Sequence, residues 1–464
     1  MVISQALTST FSHQPNSGQL DLFYKLERFI QDKNHESCFI LKGYAGTGKT
    51  SVVSALVKVM QKLKLNVVLL APTGRAAKVL SSYSGVHAST IHRRIYRKKT
   101  ASNVDSNYSL SPNMSKNTLF VVDEASMISD DKNGFDGNSL LDDLIQYVYN
   151  EQGNRILFIG DAAQLPPVQA EHSPALSVDF LRGYGFDVYH QELTEVVRQE
   201  KESGILYNAT QIRDQIRDQA NYTFPQLNTA KYKDVYRMNG EKIIEGLNYA
   251  YDKFGMENSL VVCRSNKSAN IYNQHIRNQI LWREDEITGG DLIMVVKNNY
   301  YWMPEEKGGF IANGEIAKIT RVKNVKELYG FRFADAQIQF SDSEEYNIEC
   351  KILLDTLYTD NPSLPYEDQR RFFNEVLKDY EGLPRRKQLE EMKTNPYYNA
   401  LQIKFAYAVT CHKAQGGQWE AVFVDQGYLT EEMINKELLR WLYTATTRAT
   451  KELFFVNFTD EFFI

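Results

Sequence analysis

Short, unbroken apolar runs alternate with stretches of helical period through the first two hundred residues. Cys38 to Leu41 precedes a glycine-rich turn, and Ser51 to Lys64 then repeats apolar positions with helical spacing. Val67 to Ala71, Leu119 to Val122 and Ile156 to Ile159 follow, each closed by a polar or Gly/Pro-containing turn. Runs this short, without polar alternation, predict parallel strands buried on both faces, and the alternation with helices predicts a doubly wound α/β core. Residues 84–116 break the rhythm: they are polar, rich in Ser and Asn, and basic at the start, which predicts an insert in the form of a hairpin. A second alternating region opens at Leu260 to Cys263 and resumes with Phe405 to Thr410, Ala421 to Val424 and Leu453 to Val456. Between its parts, Asp291 to Val296, Ile316 to Val322, Ala336 to Phe340 and Tyr346 to Leu353 predict the short strands of a small barrel. A charged helical stretch, Tyr366 to Met392, follows, broken at Gly382-Leu383-Pro384. The pattern predicts two α/β cores, 1–83 with 117–200 and 201–289 with 401–464, carrying inserts at 84–116 and 290–400.

Length agrees with that division, since 464 residues exceed one ordinary core. The chain is 43% hydrophobic and 24% charged, a globular balance that excludes disordered and collagen-like classes. With 53 Lys and Arg against 58 Asp and Glu, the formal charge is −5, which excludes a polybasic coat but not a local basic groove. Cys38, Cys263, Cys350 and Cys411 are too scattered for a disulfide framework or a zinc site. The first residues lack the cationic start and apolar run of a signal peptide, and no apolar stretch is long enough to span a bilayer. A cytoplasmic protein with no membrane partner is therefore expected.

Candidate chemistry enters with Gly43-Tyr44-Ala45-Gly46-Thr47-Gly48-Lys49-Thr50, which fits G-x-x-x-x-G-K-[ST] between a predicted strand and helix. Glycines at 43, 46 and 48 let backbone N–H groups curl around a phosphate at a helix N-terminus. Lys49 would reach the β- and γ-phosphates, and Thr50 would ligate Mg²⁺. Leu119 to Val122 delivers Asp123 and Glu124 beside that loop. Asp123 can hold the metal, and Glu124 can polarise an attacking water as general base. Taken alone, the pair would equally cap a following helix. Gly160-Asp161-Ala162-Ala163-Gln164 ends the next strand on the same sheet edge, where Gln164 can bond a γ-phosphate oxygen or the water.

Taken together and in this order, these residues resemble superfamily 1 helicases, particularly the RecD-like and Dda-like branch. Ala71-Pro72-Thr73-Gly74-Arg75-Ala76-Ala77 and Ala88-Ser89-Thr90-Ile91-His92 look like the family's first two nucleic-acid motifs. Leu193 to Arg198 resembles the segment bearing one arginine finger. Thr410-Cys411-His412-Lys413-Ala414-Gln415-Gly416 and Leu442 to Ala449 match motifs of the second core. Gln19 stands where the family places an adenine-reading glutamine. The resemblance implies two RecA-like P-loop NTPase cores with ATP between them, a hairpin-like insert in the first and an SH3-like β-barrel in the second. It further implies that Arg198 and Arg448 complete the ATP site from the far side, and that Gln415 and Gly416 lie at the nucleotide. Gly74 replaces a histidine found in some Dda-like relatives, so that base-stacking contact does not transfer.

Thr73, Arg75, Thr90, His92, Thr410, His412 and Lys413 offer hydroxyls, imidazoles and cations that grip phosphates without reading sequence. Arg93, Arg94, Arg97, Lys98 and Lys99 surround Tyr96, which reads either as a solvated basic face or as an electrostatic track for one strand. Tyr83, Tyr108, Tyr300, Tyr301 and Trp302 are candidate stacking or strand-splitting groups, with core packing the equal alternative for each. The expected function is an ATP- and Mg²⁺-dependent DNA helicase acting on single-stranded and forked duplex DNA, with 5′→3′ polarity implied by the resemblance. A P-loop phosphotransferase or GTPase, an ATP-gated nucleic-acid clamp and an RNA-directed helicase are the alternatives. A monomer is expected, because both halves of the ATP site lie in one chain.

Overall fold

The computed structural model describes residues 2–34, 36–98, 108–132, 137–168, 170–196, 202–218, 222–304, 311–340 and 347–464. Its first part contains β1 (Ser37–Gly43), β2 (Asn66–Ala71), β3 (Ala88–Thr90), β4 (Tyr96–Lys98), β5 (Tyr108–Leu110), β6 (Thr118–Val122), β7 (Arg155–Gly160) and β8 (Asp187–Leu193). All but β4 and β5 form one parallel sheet in the order β3-β2-β6-β7-β1-β8. Side chains alternate across it. Phe39, Leu41, Leu69, Val121, Leu157 and Ile159 face the helices Ser17–Gln31, Lys49–Lys62 and Gly74–Ser84. Cys38, Ile40, Leu70, Phe120, Ile156 and Phe158 face the helices Ile91–Ile95 and Leu140–Tyr149. Both faces are covered, which is why the inner strands β2, β6, β7 and β1 read as apolar runs, while the edge strands β3 and β8 are short or mixed in polarity.

The second part contains β9 (Val235–Met238) and β10 (Ser259–Cys263), then the barrel strands β11 (Leu292–Val295), β12 (Ile316–Leu328), β13 (Phe331–Phe340), β14 (Asn347–Leu353) and β15 (Leu401–Phe405). It ends with β16 (Ala408–Thr410), β17 (Trp419–Asp425) and β18 (Ala449–Val456). Strands β16-β10-β17-β18-β9 form a second parallel sheet, and β11 to β15 close into a five-stranded barrel. The chain is thus an α/β protein of two parallel-sheet cores with a barrel inserted in the second. Cys38, Cys263, Cys350 and Cys411 are buried free thiols. Among the described residues no helix is long and apolar enough to cross a membrane.

Three elements differ from the pattern-based expectation. Ala88–Thr90, read as part of the first insert, is the edge strand of the first sheet, paired with Leu69 to Ala71. The hairpin is only β4 and β5, and its tip, with Lys99, lies outside the described residues. The run Phe405 to Thr410, read as one strand, is two: Phe405 ends the strand that closes the barrel, and Ala408 starts the core strand. Both halves are apolar, so periodicity carries no mark at the kink. The charged helical stretch leaves helix already at Lys378 and resumes at Arg385.

The junction of barrel and core is held by Asp291, which is fully buried. Its carboxylate accepts from Arg277 at 3.0 and 3.1 Å, from the Tyr407 hydroxyl at 2.8 Å, from the Thr288 N–H at 2.8 Å, and from Arg283. Arg277 itself is 4% exposed, so it has no water to fall back on. Removing one partner of such a pair costs about 3–5 kcal/mol, because the other charge stays buried. Asp291→Ala should accordingly lower the urea midpoint of the barrel and second core, followed by tryptophan fluorescence; an unchanged midpoint would refute this role.

Candidate active site at the seam between the cores

β1 ends in the loop 43–48, and the helix Lys49–Lys62 starts directly behind it. Gly46 and Gly48 take φ of 73° and 87°, left-handed values that side chains resist. A Cβ on Gly43 would lie 2.8 Å from Thr47 Oγ1 and 3.0 Å from Lys49 Cγ, so the cradle closes over anything larger than glycine. The Thr47 hydroxyl donates to Tyr44 O at 2.8 Å, and Thr50 is exposed in the first helical turn. The Lys49 ammonium donates to the Gly43 and Tyr44 carbonyls and lies 3.9 Å from Asp161. Gln19 is buried: its Oε1 accepts from Asn16 N, and its amide donates to Thr47 O at 3.2 Å, tying the helix Ser17–Gln31 to the loop.

Asp123 and Glu124 follow β6 on the same edge. Asp123 Oδ1 accepts the Glu124 N–H at 2.8 Å. Glu124 has a left-handed backbone at φ 51°, a strain of about 1–3 kcal/mol of the kind held at functional sites. Burial pushes its carboxyl up; Arg448 and Lys49 pull it down, while Asp123 and Asp161 add to the rise. After β7, Asp161 and Gln164 are 2% and 6% exposed. Gln164 Oε1 is buried with no partner among the described residues, an acceptor left open beside the site.

The second core meets this edge through the helix Lys436–Thr446 and the loop after β16. The Tyr443 hydroxyl donates to Asp161 at 2.6 Å and accepts the Ala45 N–H of the phosphate loop at 2.9 Å. The Thr444 hydroxyl accepts from Leu165 N at 2.9 Å, and the Gln415 amide donates to Leu165 O at 2.7 Å. Arg448, 3% exposed, is aimed by bonds to the carbonyls of Thr444 and Gly417 at 3.0 and 3.2 Å. A Cβ on Gly416 would lie 2.9 Å from that of Ala76, so this glycine lets the cores touch. Gln415 and Gly416 thus lie at the seam between the cores. Arg198 lies outside the described residues.

Several nucleic-acid candidates are already engaged. Thr73 and Thr90 cap helices, accepting from Ala76 N and Arg93 N. The Arg75 guanidinium stacks on Trp419 at 3.8 Å and donates to Gln418 O at 2.8 Å. His92 is pushed down to about 4 by burial, so it is a neutral imidazole at physiological pH and not a cation for phosphate. Burial also lowers His412, and lowers Lys413 to about 8; the Lys413 ammonium donates to Asn313. Arg93 is exposed, Arg94 donates to Ser115 at 2.9 Å, and Thr410 is half-buried at the head of its loop. Tyr301 and Trp302 are half-buried and donate to the carbonyls of Thr394 and Asn399.

Reading the sequence missed Tyr443, Asp161 and Thr444 as site residues, although it quoted the segments that carry them. It also missed Tyr44, whose hydroxyl donates to Glu192 at 2.7 Å and whose ring lies 4.8 Å from the buried Arg213 guanidinium. A hydroxyl inside the otherwise apolar run Trp441 to Tyr443 was the available signal.

Residues 25–225 match the AAA domain family, and residues 405–456 match the UvrD-like helicase C-terminal domain family. The chain is 26% identical to the ATP-dependent DNA helicase dda of Enterobacteria phage T4, covering 95% of this chain and 98% of that one. It is also 26% identical to an uncharacterised protein of Acanthamoeba polyphaga mimivirus, covering 93% and 97%. The ATP-dependent RecD2 DNA helicase of Deinococcus radiodurans is 36% identical over 131 residues, 28% of this chain and 16% of that one. Among solved structures, a Pif1 helicase at forked double-stranded DNA shares the fold, with a TM-score of 0.50 at 15% identity, covering 97% and 94%.

Tyr443→Phe leaves the Asp161 carboxylate and the Ala45 N–H without their shared partner in a buried seam. The expected cost is about 1–3 kcal/mol in the nucleotide-free protein, read as a lower denaturation midpoint. A midpoint equal to that of the parent would remove the hydroxyl from the seam's energetics.

Proposed function

The chain belongs to the superfamily 1 helicases of the Dda-like and RecD-like branch, and we propose that it is a monomeric motor that hydrolyses ATP between its two cores to move along single-stranded DNA, 5′→3′, and open forked duplex. The observation that carries this reading is the shared site. The phosphate loop, Asp123, Glu124 and Gln164 belong to the first core, while Arg448 is presented by the second. A nucleotide bound there touches both cores, so its turnover changes their relation.

The residues fit the nucleotide's chemistry. The cradle 43–48 excludes side chains, Lys49 stands at its mouth, and Gln164 keeps an unpartnered acceptor. Lys49 exchanges the carbonyls of Gly43 and Tyr44 for the β- and γ-phosphates. Gln19, already bonded to Thr47 O, steadies the loop from behind. Glu124 takes a proton from the attacking water, and the raised carboxyl suits that task. Arg448, joined by Arg198, neutralises charge on the transferring phosphoryl group when the cleft is closed. Thr50 and Asp123 supply hard oxygen donors for Mg²⁺, an ion that takes one or two protein oxygens and otherwise keeps water and phosphate. When bound, it would neutralise charge on the phosphates.

Movement follows from alternating grip. Thr73, Thr90 and Arg93 on the first core and Thr410, His412 and Lys413 on the second hold one backbone through few contacts. Separating a base pair costs about 1.4 kcal/mol, within reach of one cleft closure. The hairpin β4–β5 serves as the wedge, and the protein works in the cytoplasm on DNA rather than RNA.

The deciding experiment is unwinding of forked duplexes with a single 5′ or 3′ tail. Opening under ATP from the 5′ tail is expected; no opening with either tail would favour a clamp, and opening from the 3′ tail would reverse the polarity. Lys49→Ala should abolish DNA-stimulated ATP hydrolysis in a folded protein, and retained turnover would refute the phosphate-site assignment. The pH dependence has a definite sign. Glu124 must be ionised to act and is raised above the ordinary glutamate value of about 4.3, so turnover should fall on acidification with a midpoint above that value. Glu124→Gln should cost about 10²–10⁴ in kcat and remove that acid limb, as measured by phosphate release.

A further inference from the structure

Tyr83, a stacking candidate in the sequence, does something else in the structure. Its hydroxyl donates to Asp123 Oδ2 at 2.6 Å, while Oδ1 accepts the Glu124 N–H at 2.8 Å. Each carboxylate oxygen thus has one fixed donor, and the plane of the group is set, with a lone pair on each oxygen still available. The ring packs half-buried against the first core.

The other end of the same helix is bound to the second core. Helix Gly74–Ser84 is capped by Thr73 and ended by Gly85 at φ 73°. From its first turn Arg75 stacks on Trp419 and donates to Gln418 O, and Ala76 sits against Gly416. Three turns of helix span about 16 Å as a stiff rod. One end of that rod reports where the second core lies, and the other holds Asp123.

We propose that Tyr83 is a positioning residue for Asp123, through which the helix Gly74–Ser84 couples the metal-binding carboxylate to the second core and to the nucleic-acid loop at Thr73. The inference rests on the reading that Asp123 takes part in holding Mg²⁺. In the closed seam described here, the Tyr83 hydroxyl fixes the carboxylate orientation. A shift of the second core moves Arg75, hence the rod, hence that hydroxyl.

The test uses the full chain, with a fluorescent ADP analogue titrated in EDTA and at increasing Mg²⁺. Tyr83→Phe keeps the ring and removes only the donor, so affinity in EDTA should equal that of the parent, which also certifies the fold. The Mg²⁺ concentration giving half-maximal enhancement should rise about tenfold, the low end of what one hydrogen bond to a charged group contributes. Arg75→Ala should raise the same midpoint, and the double variant should go no further, because both act through one rod. An unchanged midpoint in Tyr83→Phe, or additive effects of the two changes, would overturn the proposal. Asp123→Asn separates the two layers: if it leaves the Mg²⁺ requirement unaltered, the metal reading of Asp123 fails, whatever Tyr83 does.

Discussion

A buried hydroxyl stands at the centre of the contact between the two cores. Tyr443 is 1% exposed, so its oxygen has no water to bond and must find protein partners on both sides. It finds them in two different loops of the other core, the Asp161 carboxylate and the Ala45 N–H. Asp161 follows β7 and Ala45 follows β1, neighbouring strands of one sheet, so the hydroxyl spans adjacent strand ends. The helix carrying Tyr443 ends at Thr446, two residues before Arg448. The same helix thus presents Arg448 where its guanidinium acts on the Glu124 carboxyl.

Apolar packing surrounds this polar contact. Tyr44, Ala163 and Leu165 come from the first core yet are buried in the hydrophobic cluster of the second core and barrel. Inside such a seam the local dielectric is low, so the bonds of Tyr443, Thr444 and Gln415 are stronger than at a surface and more costly to leave unmade. The phosphate loop is consequently not a free loop on one domain: its second residue is packed into the other domain, and its third is bonded there. Lys49 completes the arrangement by resting on the loop's own carbonyls beside Asp161. Phosphate oxygens placed in the cradle compete for that ammonium and so act on the same cluster of groups that joins the cores.

What the sequence shows clearly is what depends on near neighbours. The phosphate loop is legible because the glycines, Lys49 and Thr50 fall within eight consecutive positions. The inner strands of both sheets are legible because full burial makes each an apolar run, whereas the edge strands Asp187–Leu193 and Val235–Met238, exposed on part of their length, carry no such run. The barrel is legible as short strands, but its closing strand is not, since the alternating Leu401-Gln402-Ile403-Lys404-Phe405 runs without a turn signal into the apolar core strand at Ala408. Ala88–Thr90 does not stand out from the insert because three residues are too few to show a period. The seam was the least legible part: Tyr443 lies 282 residues from Asp161 and 398 from Ala45, and no local pattern links them. The bond of Tyr83 to Asp123 is illegible for the same reason, its partner being 40 positions away.

The seam also changes how the chain's charge is to be understood. With a formal charge of −5, long-range attraction for a polyanion is weak, and the cations nearest the seam are not displayed as free positive charge. Arg75 lies on Trp419, Arg94 is bonded to Ser115, and His92 is neutral. Lys413 is different. Burial has lowered it to about 8, and the partner it donates to, Asn313, carries no charge. A desolvated ammonium facing a neutral amide is under-compensated, and a phosphate oxygen replacing Asn313 would restore its full affinity for the proton. Binding energy at such a position comes from relieving a local deficit rather than from net charge. It is short in range and available only to a group that reaches into the loop 410–416, whose Gln415 and Gly416 are the residues that touch the first core.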